Sequence, residues 1–394
     1  MRAPSTDAPS VPVLNAGAGA DRPTVASISL NALTHNFEEV MRRAGARKVL
    51  AVVKARAYGH GLVPVSRHLL GQGAHMLGVA LVEEGRELRE AGIDAPVLVM
   101  GPVFPEQADA VAALRLTPAL SNSTVGRALA DAAQKRSLRI AVHVKVDTGM
   151  NRTGVSPEAA PDLVRELSSL KGIVVEGLMT HFADADLRDK TFAAKQMDRF
   201  ETLLATLADQ GIDIPLRHAA NSASILDYQR ALFTMVRPGL MLYGYDPVEG
   251  NASGADLQPV LSLMTKIFLL KKVPVGTPVS YGRTFVTARE SLIATIPIGY
   301  ADGFSRGLSN RGEALVRGVR VPVAGRVCMD MTMLDVTDVP GVCEGDEVVL
   351  IGSSGGETIT AADIAVKTNT IPYEVLCGIS ARVPRIYRQD RFGK

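Results

Sequence analysis

Residues 51–61 read Ala-Val-Val-Lys-Ala-Arg-Ala-Tyr-Gly-His-Gly, an apolar run that ends on a single lysine, Lys54. Lysine is seldom buried without a partner. At the mouth of a β-strand its amine is placed to react, because desolvation lowers its pKa and exposes the nucleophilic lone pair. The usual chemistry of such an amine is a Schiff base with a carbonyl substrate or with pyridoxal phosphate, PLP. Tyr58, Gly59 and Gly61 follow within one turn, and a phenol with closely approaching backbone suits a phosphate group. Taken alone, Lys54 reads better as a strand-ending residue that points to water, so the rest of the chain decides.

The elements that must position Lys54 follow from the apolar pattern. Short apolar runs at 48–53, 76–82, 97–101, 117–120, 139–146, 173–180, 216–220 and 233–237 predict strands. Helical periodicity fills most intervals, as at 61–71, 83–91, 105–115, 123–135, 157–171 and 190–210. Eight strands with helices between them predict a (β/α)8 barrel. An open doubly wound sheet would need a G-x-G-x-x-G turn after its first strand, and the sequence has none. From about residue 256 the texture becomes β-type, at 258–270, 291–298, 314–323 and 346–351, with one helix near 361–368. The fold class expected is therefore α/β: a (β/α)8 barrel at 24–255 with a C-terminal mostly-β domain at 256–394. Residues 24–30, an isolated β-type run, are a candidate extra strand for that second domain. Residues 1–23 are rich in Ala, Pro, Gly, Ser and Asp, lack an apolar segment, and read as a disordered tail.

Bulk composition narrows the function. The 394 residues are 46% apolar, enough for a sizeable core, and carry a net charge of only +2, which predicts neither nucleic acid nor membrane as partner. The three cysteines, Cys328, Cys343 and Cys377, fit neither a zinc site nor a disulfide framework, and no metal is expected. No apolar run is long enough to span a bilayer. A cytoplasmic location is the expectation.

Barrel chemistry sits at the C-terminal strand ends. Those ends carry Lys54, then Lys145, Asp147 and Arg152, then His181, then Asn221 and Ser222, then Arg237 and Gly239. Polar groups from five strands thus converge on one rim. With that placement the chain resembles the alanine racemases. The resemblance rests on residues 51–61 and on Lys-Val-Asp-Thr-Gly-Met-Asn-Arg-Thr-Gly (145–154), Gly-Leu-Met-Thr-His-Phe-Ala (177–183), Asn-Ser-Ala-Ser (221–224) and Val-Arg-Pro-Gly (236–239). It continues through Val-Ser-Tyr-Gly-Arg-Thr-Phe (279–285), Gly-Tyr-Ala-Asp-Gly (299–303), Arg-Val-Cys-Met-Asp (326–330) and Tyr-Glu-Val-Leu-Cys-Gly-Ile (373–379).

The resemblance implies a PLP enzyme that interconverts L- and D-alanine and supplies D-alanine for peptidoglycan. It implies a homodimer with shared active sites. Lys54 would carry PLP. Tyr58, Asn221, Ser222, Gly239, Leu240 and Tyr373 would hold it around the phosphate, and Arg237 would face the pyridine nitrogen. Arg152 and the backbone of Met329 would receive the substrate carboxylate. Tyr281 would arrive from the other subunit as second catalytic group, and Lys145 is a candidate for carbamylation, with an unmodified Lys145–Asp147 pair as the alternative.

The residue types suit this chemistry. Racemisation takes a Cα proton from one face and returns one to the other, most directly with two acid–base groups. The freed amine of Lys54 is one; Tyr281 is the other that the motifs offer. A phenol needs help to act as a base, and His181 with a nearby guanidinium would supply it. Arg237 donates hydrogen bonds and accepts none, so against a pyridine nitrogen it favours the unprotonated ring. Arg152 offers a two-pronged fork to a carboxylate. His181 is expected against the cofactor ring; His218 and His60 are read as structural. Tyr300, Asp302, Arg306 and Asp330 are expected at the entrance. Two positions depart from the pattern: Arg56 where Asp or Asn is frequent, and Asn151 where Gly is frequent. They leave open a racemase of broader range or one for serine. A non-catalytic PLP-binding protein is disfavoured by the second domain and Tyr281.

Overall fold

The computed structural model describes residues 22–389. Eight parallel strands form the barrel: β2 (Lys48–Val52), β3 (Met76–Val79), β4 (Val97–Val99), β5 (Thr117–Leu120), β6 (Ile140–Lys145), β7 (Ile173–Met179), β8 (Leu216–His218) and β9 (Met235–Val236). Each pairs with its neighbour in the order β8-β7-β6-β5-β4-β3-β2-β9. The seam between β8 and β9 is bridged by backbone bonds from Thr234 N–H to Arg217 O (3.1 Å) and from Arg237 N–H to Ala220 O (3.0 Å). The strands are buried on both faces, as in β3, where all four residues are inside. That is why they read in sequence as unbroken apolar runs.

All eight barrel strands lie within the runs expected of them. The helices between them are also present, including Leu62–Gly71, Ser123–Lys135 and Thr191–Asp209. The stretch 105–115 divides into a 3₁₀ turn, Pro105–Gln107, and a short helix, Ala108–Ala113. A 15-residue helix at Leu30–Ala44 was not anticipated; Ser29 caps it through its hydroxyl, which accepts from Ala32 N–H at 3.1 Å.

The run at 24–30 forms β1 (Val25–Ser29), which leaves the barrel and inserts into the C-terminal sheet. It pairs antiparallel with β10 (Leu261–Lys266) and parallel with the strand Arg385–Arg388. The second domain is otherwise β-rich, with the helix Ala361–Thr368 where it was expected and a further one at Pro372–Gly378. Of the expected N-terminal tail, residues 1–21 lie outside the described residues. Arg22 is held in place: its guanidinium donates to both carboxylate oxygens of Asp302 and to Pro297 O.

Asn36 joins the first helix to the crossing between domains. Its side chain is fully buried; Nδ2 donates to Leu242 O and Gln258 O, and Oδ1 accepts from Gln258 N–H. Asn36→Ala removes all three bonds and should cost about 1–3 kcal/mol for each backbone group left unsatisfied. A lowered thermal unfolding midpoint is the expected result; an unchanged midpoint would show that water replaces the amide.

Candidate active site

Lys54 stands two residues beyond β2, and the chain then does something unusual. Ala55, Arg56, Ala57 and Tyr58 all take left-handed φ, between 52° and 55°. Each such non-glycine residue costs about 1–2 kcal/mol, so surrounding bonds must hold the turn. Ala55 N–H donates to Glu84 Oε1 (2.6 Å), Ala57 N–H to Val53 O (2.7 Å) and Gly61 N–H to Arg56 O (2.7 Å). Gly59 closes the turn at φ +82°, where an added Cβ would sit 2.2 Å from Leu376 O. His60 is fully buried and its Nδ1 donates to Ala57 O and Tyr58 O, in keeping with its structural reading.

Around Lys54 cations outweigh the nearby carboxylates of Glu84 and Asp147. Its amine is depressed first by burial and then by the positive field of Arg152. Lys145 is pushed down to about 8 by burial and by Arg237, Arg152 and Lys54. Among the described residues no ion pair joins Lys145 to Asp147, whose Oδ1 accepts from the N–H groups of Gly149 and Asn151, although its charge still pulls the Lys145 pKa upward. Arg152 is exposed and makes no ion pair or hydrogen bond among the described residues.

Arg237 is buried, with no carboxylate beside it among the described residues. Its Nη1 donates to His218 Nδ1 (3.0 Å) and His218 O (2.8 Å). Its Nη2 donates to Thr180 O (2.8 Å), His181 Nδ1 (3.1 Å) and Ala219 O (3.0 Å). Burial lowers its pKa to about 10. Only Nε–H is left without a partner among the described residues. His218, read as structural, is buried with both ring nitrogens bonded, to Arg237 and to His143, and it meets the site through Arg237, a contact the sequence did not show. The missed signal is weak: two strand-end residues, 19 apart, on neighbouring strands. His181, also accepting from Arg237, keeps its own proton on Nε2; burial holds it far below the ordinary imidazole pKa.

A second group lies across the rim. Ser222 Oγ accepts from Gly239 N–H at 2.8 Å and Met241 N–H at 3.3 Å. A Cβ on Gly239 would lie 2.7 Å from Tyr58 Oη. Tyr58 is stacked on Tyr243 at 4.8 Å and lies 5.8 Å from Tyr373, which comes from the second domain. Leu240 is buried behind this group, and Asn221 Oδ1 accepts from Ser224 N–H. The sequence named these residues except Met241 and Tyr243, and it missed Glu84, which ties Ala55, Ala80 and Leu81 together through its carboxylate.

The second domain contributes less directly. Tyr281 is 72% exposed, Met329 53% and Tyr300 42%. No hydrogen bond or ring contact joins Tyr281 to Lys54 or His181 among the described residues. Arg306 is exposed, and Asp330 pairs with Arg382 at 2.8 Å. Asp302 differs from its expected place at an entrance: its carboxylate is fully buried against Arg22, because an unpaired buried acid would be costly. No group of three or more His, Cys, Asp or Glu side chains among the described residues is arranged to hold a metal. No helix among them is long and apolar enough to cross a membrane.

A barrel with a desolvated amine at its rim, set among cations, is the arrangement of a lysine-centred site. Comparison with known proteins makes the class specific. The family model described as "Alanine racemase, N-terminal domain" matches residues 28–247, and "Alanine racemase, C-terminal domain" matches 260–387. A curated alanine racemase of Halothermothrix orenii is 50% identical over 93% of this chain and 97% of its own length. One of Carboxydothermus hydrogenoformans is 45% identical over 93% and 100%. The solved alanine racemase of Clostridium difficile 630 superposes with a TM-score of 0.89 at 36% identity, covering 94% of this chain and 97% of that one. That of Bacillus anthracis, solved with bound L-Ala-P, gives 0.89 at 36% identity, with 95% and 97% covered. The chain belongs to the alanine racemase family and is an isomerase.

The left-handed turn offers a direct check. Gly59→Ala meets both a positive φ and the Leu376 carbonyl, whereas Gly73→Ala meets a positive φ (+103°) in open space. Thermal unfolding should show a much larger loss for Gly59→Ala. Equal, small losses would show that the Lys54 turn yields without cost.

Proposed function

We propose that this chain, as a cytoplasmic homodimer with PLP at Lys54, interconverts L- and D-alanine by a two-base mechanism. The D-alanine so made is read as a building block of peptidoglycan. The observation that carries the reading is the donor set of Arg237: every Nη hydrogen is occupied and one Nε–H is left, in a buried place, for an acceptor. A pyridine nitrogen without a proton is such an acceptor.

Three further features fit the group. The desolvated Lys54 amine suits a covalent link to an aldehyde. The Gly239 backbone, the Tyr58 hydroxyl, which has no hydrogen bond among the described residues, and Ser222 Oγ make a cradle that a Cβ at residue 239 would fill. The surplus of cations suits a phosphate and a carboxylate together. Lys54, Tyr58, Asn221, Ser222, Gly239, Leu240 and Tyr373 would hold the cofactor, with His181 against its ring. When bound, PLP would supply the electron sink that makes a Cα–H acidic.

The protein's own groups do the rest. Arg152 and the Met329 backbone bind the substrate carboxylate. The Lys54 amine takes or returns the Cα proton on one face. The partner subunit's Tyr281 serves the opposite face, with its phenolate stabilised by the Nε2–H of His181. Tyr300, Arg306 and Asp330 stand toward the entrance. The amine of Lys145, partly neutral near pH 8, can add CO2 with loss of a proton. The resulting carbamate would bring a negative charge to Arg152, which has no acidic partner among the described residues. Relatives bearing L-Ala-P or cycloserine show that those proteins accept amino-acid-like ligands, which supports an amino-acid substrate here.

A chiral assay of the purified protein with L-alanine, L-serine and L-lysine tests the reading. D-alanine should form fastest. A faster reaction with serine would mark a serine racemase, and none with any substrate a non-catalytic PLP protein. Borohydride treatment should fix a pyridoxyl group on Lys54; peptide mapping to another lysine would overturn the assignment.

The shared site has its own check. Lys54→Ala and Tyr281→Phe should each be nearly inactive. Co-refolded, about half the dimers are mixed, and each has one intact site, so activity should return to roughly a quarter of wild type. A mixture that stays inactive despite proven subunit exchange would place Tyr281 over its own barrel.

A further inference from the structure

Behind Arg237 the barrel interior holds a second pair of polar groups that the mechanism above leaves unused. His218, which accepts from Arg237 at Nδ1, lies with its Nε2 2.8 Å from His143 Nδ1. The two rings meet edge to face, 4.9 Å between centroids, and both are fully buried. The far nitrogen of His143, Nε2, has no hydrogen-bond partner among the described residues but faces Glu176 Oε2 at 3.7 Å. At that distance the contact is between a charge and an N–H dipole.

The direction of this chain follows from its ends. A guanidinium only donates, so His218 Nδ1 accepts and its proton is on Nε2. That proton points at His143 Nδ1, so the proton of His143 is on Nε2 as well. A carboxylate only accepts, and Glu176 faces that N–H. Both ends therefore demand the same two tautomers. Desolvation keeps both imidazoles neutral by lowering their pKa values.

The fold is shaped to make this contact. Val142 pairs with Val175, but His143 pairs with Gly177, so Glu176 is an extra residue in β7. A bulge of this kind re-aims a side chain. The next residue must lack a Cβ: one at Gly177 would stand 2.5 Å from His143 Cγ. Glu176 is 37% exposed, with Lys48 and His75 also in its field.

We propose that Glu176 and His143 are positioning residues for the reaction: through His218 they hold the guanidinium of Arg237 so that its Nε–H points into the site. The catalytic part rests on the proposed contact between Arg237 and the pyridine nitrogen. The tautomer part does not, and it is read in the apoprotein.

Ring ¹⁵N spectra of histidine-labelled apoprotein, assigned by single His→Gln variants, separate the two tautomers. The wild type should show His143 and His218 neutral with Nε2–H. A proton on Nδ1 of either ring would overturn the proposal whatever the cofactor does. Glu176→Lys puts a cation against the His143 N–H and should drive both rings into mixed tautomers. In the holoenzyme it should lower kcat about tenfold with KM little changed, the scale at which groups behind a reactive centre act. Glu176→Gln, whose amide oxygen still accepts, should keep the Nε2–H tautomers and most of kcat. Wild-type spectra and kcat in Glu176→Lys would refute the positioning role. So would an equal kcat loss in both variants with unchanged tautomers, which is the mark of a structural role.

Discussion

Arg237 brings a positive charge into the C-terminal end of a barrel where, among the described residues, no carboxylate meets it. Burial of an unpaired cation is costly unless its donors are satisfied, and here all but Nε–H are. Here the acceptors are three backbone carbonyls, of Thr180, His218 and Ala219, and two neutral imidazoles. Those carbonyls lie at the ends of β7 and β8, so the guanidinium also staples the barrel at the seam where β8 and β9 do not pair. The geometry of the site and the closure of the barrel are one constraint. Because the acceptors are neutral, the charge is not cancelled, and it adds to Arg152, Lys145 and Lys54 to make a rim suited to anions.

The same constraint sets proton positions. An arginine fixes which nitrogen of each neighbouring histidine must accept, and so leaves His181 with a donor at Nε2. A carboxylate in place of Arg237 would reverse these roles. The left-handed turn after Lys54 is the other expensive feature. Glu84 and Gly59 hold it, and it brings Tyr58 beside Gly239 although 181 positions separate them in sequence.

Much of this was legible in the chain. Barrel strands buried on both faces read as short apolar runs, and a lysine at the end of one stands out because its charge interrupts the pattern. The second domain announced itself by alternation, and the run at 24–30 stood apart because it belongs to that domain's sheet. What sequence could not show is register. The bulge at Glu176, the facing of His218 toward Arg237, and the left-handed φ of Ala55–Tyr58 depend on partners far along the chain. The helix Leu30–Ala44 was hidden by its many polar residues, including Asn36, whose amide is buried. Asp302 read as a loop charge because its partner, Arg22, lies in a segment that looks like a tail.

The central claim is that Arg237 presents a donor to a ring nitrogen that carries no proton. The most direct measurement is the ¹⁵N shift of the pyridine nitrogen in holoenzyme loaded with ring-labelled PLP. The account predicts the shift of an unprotonated pyridine across the working pH range, and its loss in Arg237→Glu. A pyridinium shift in the wild type would contradict it.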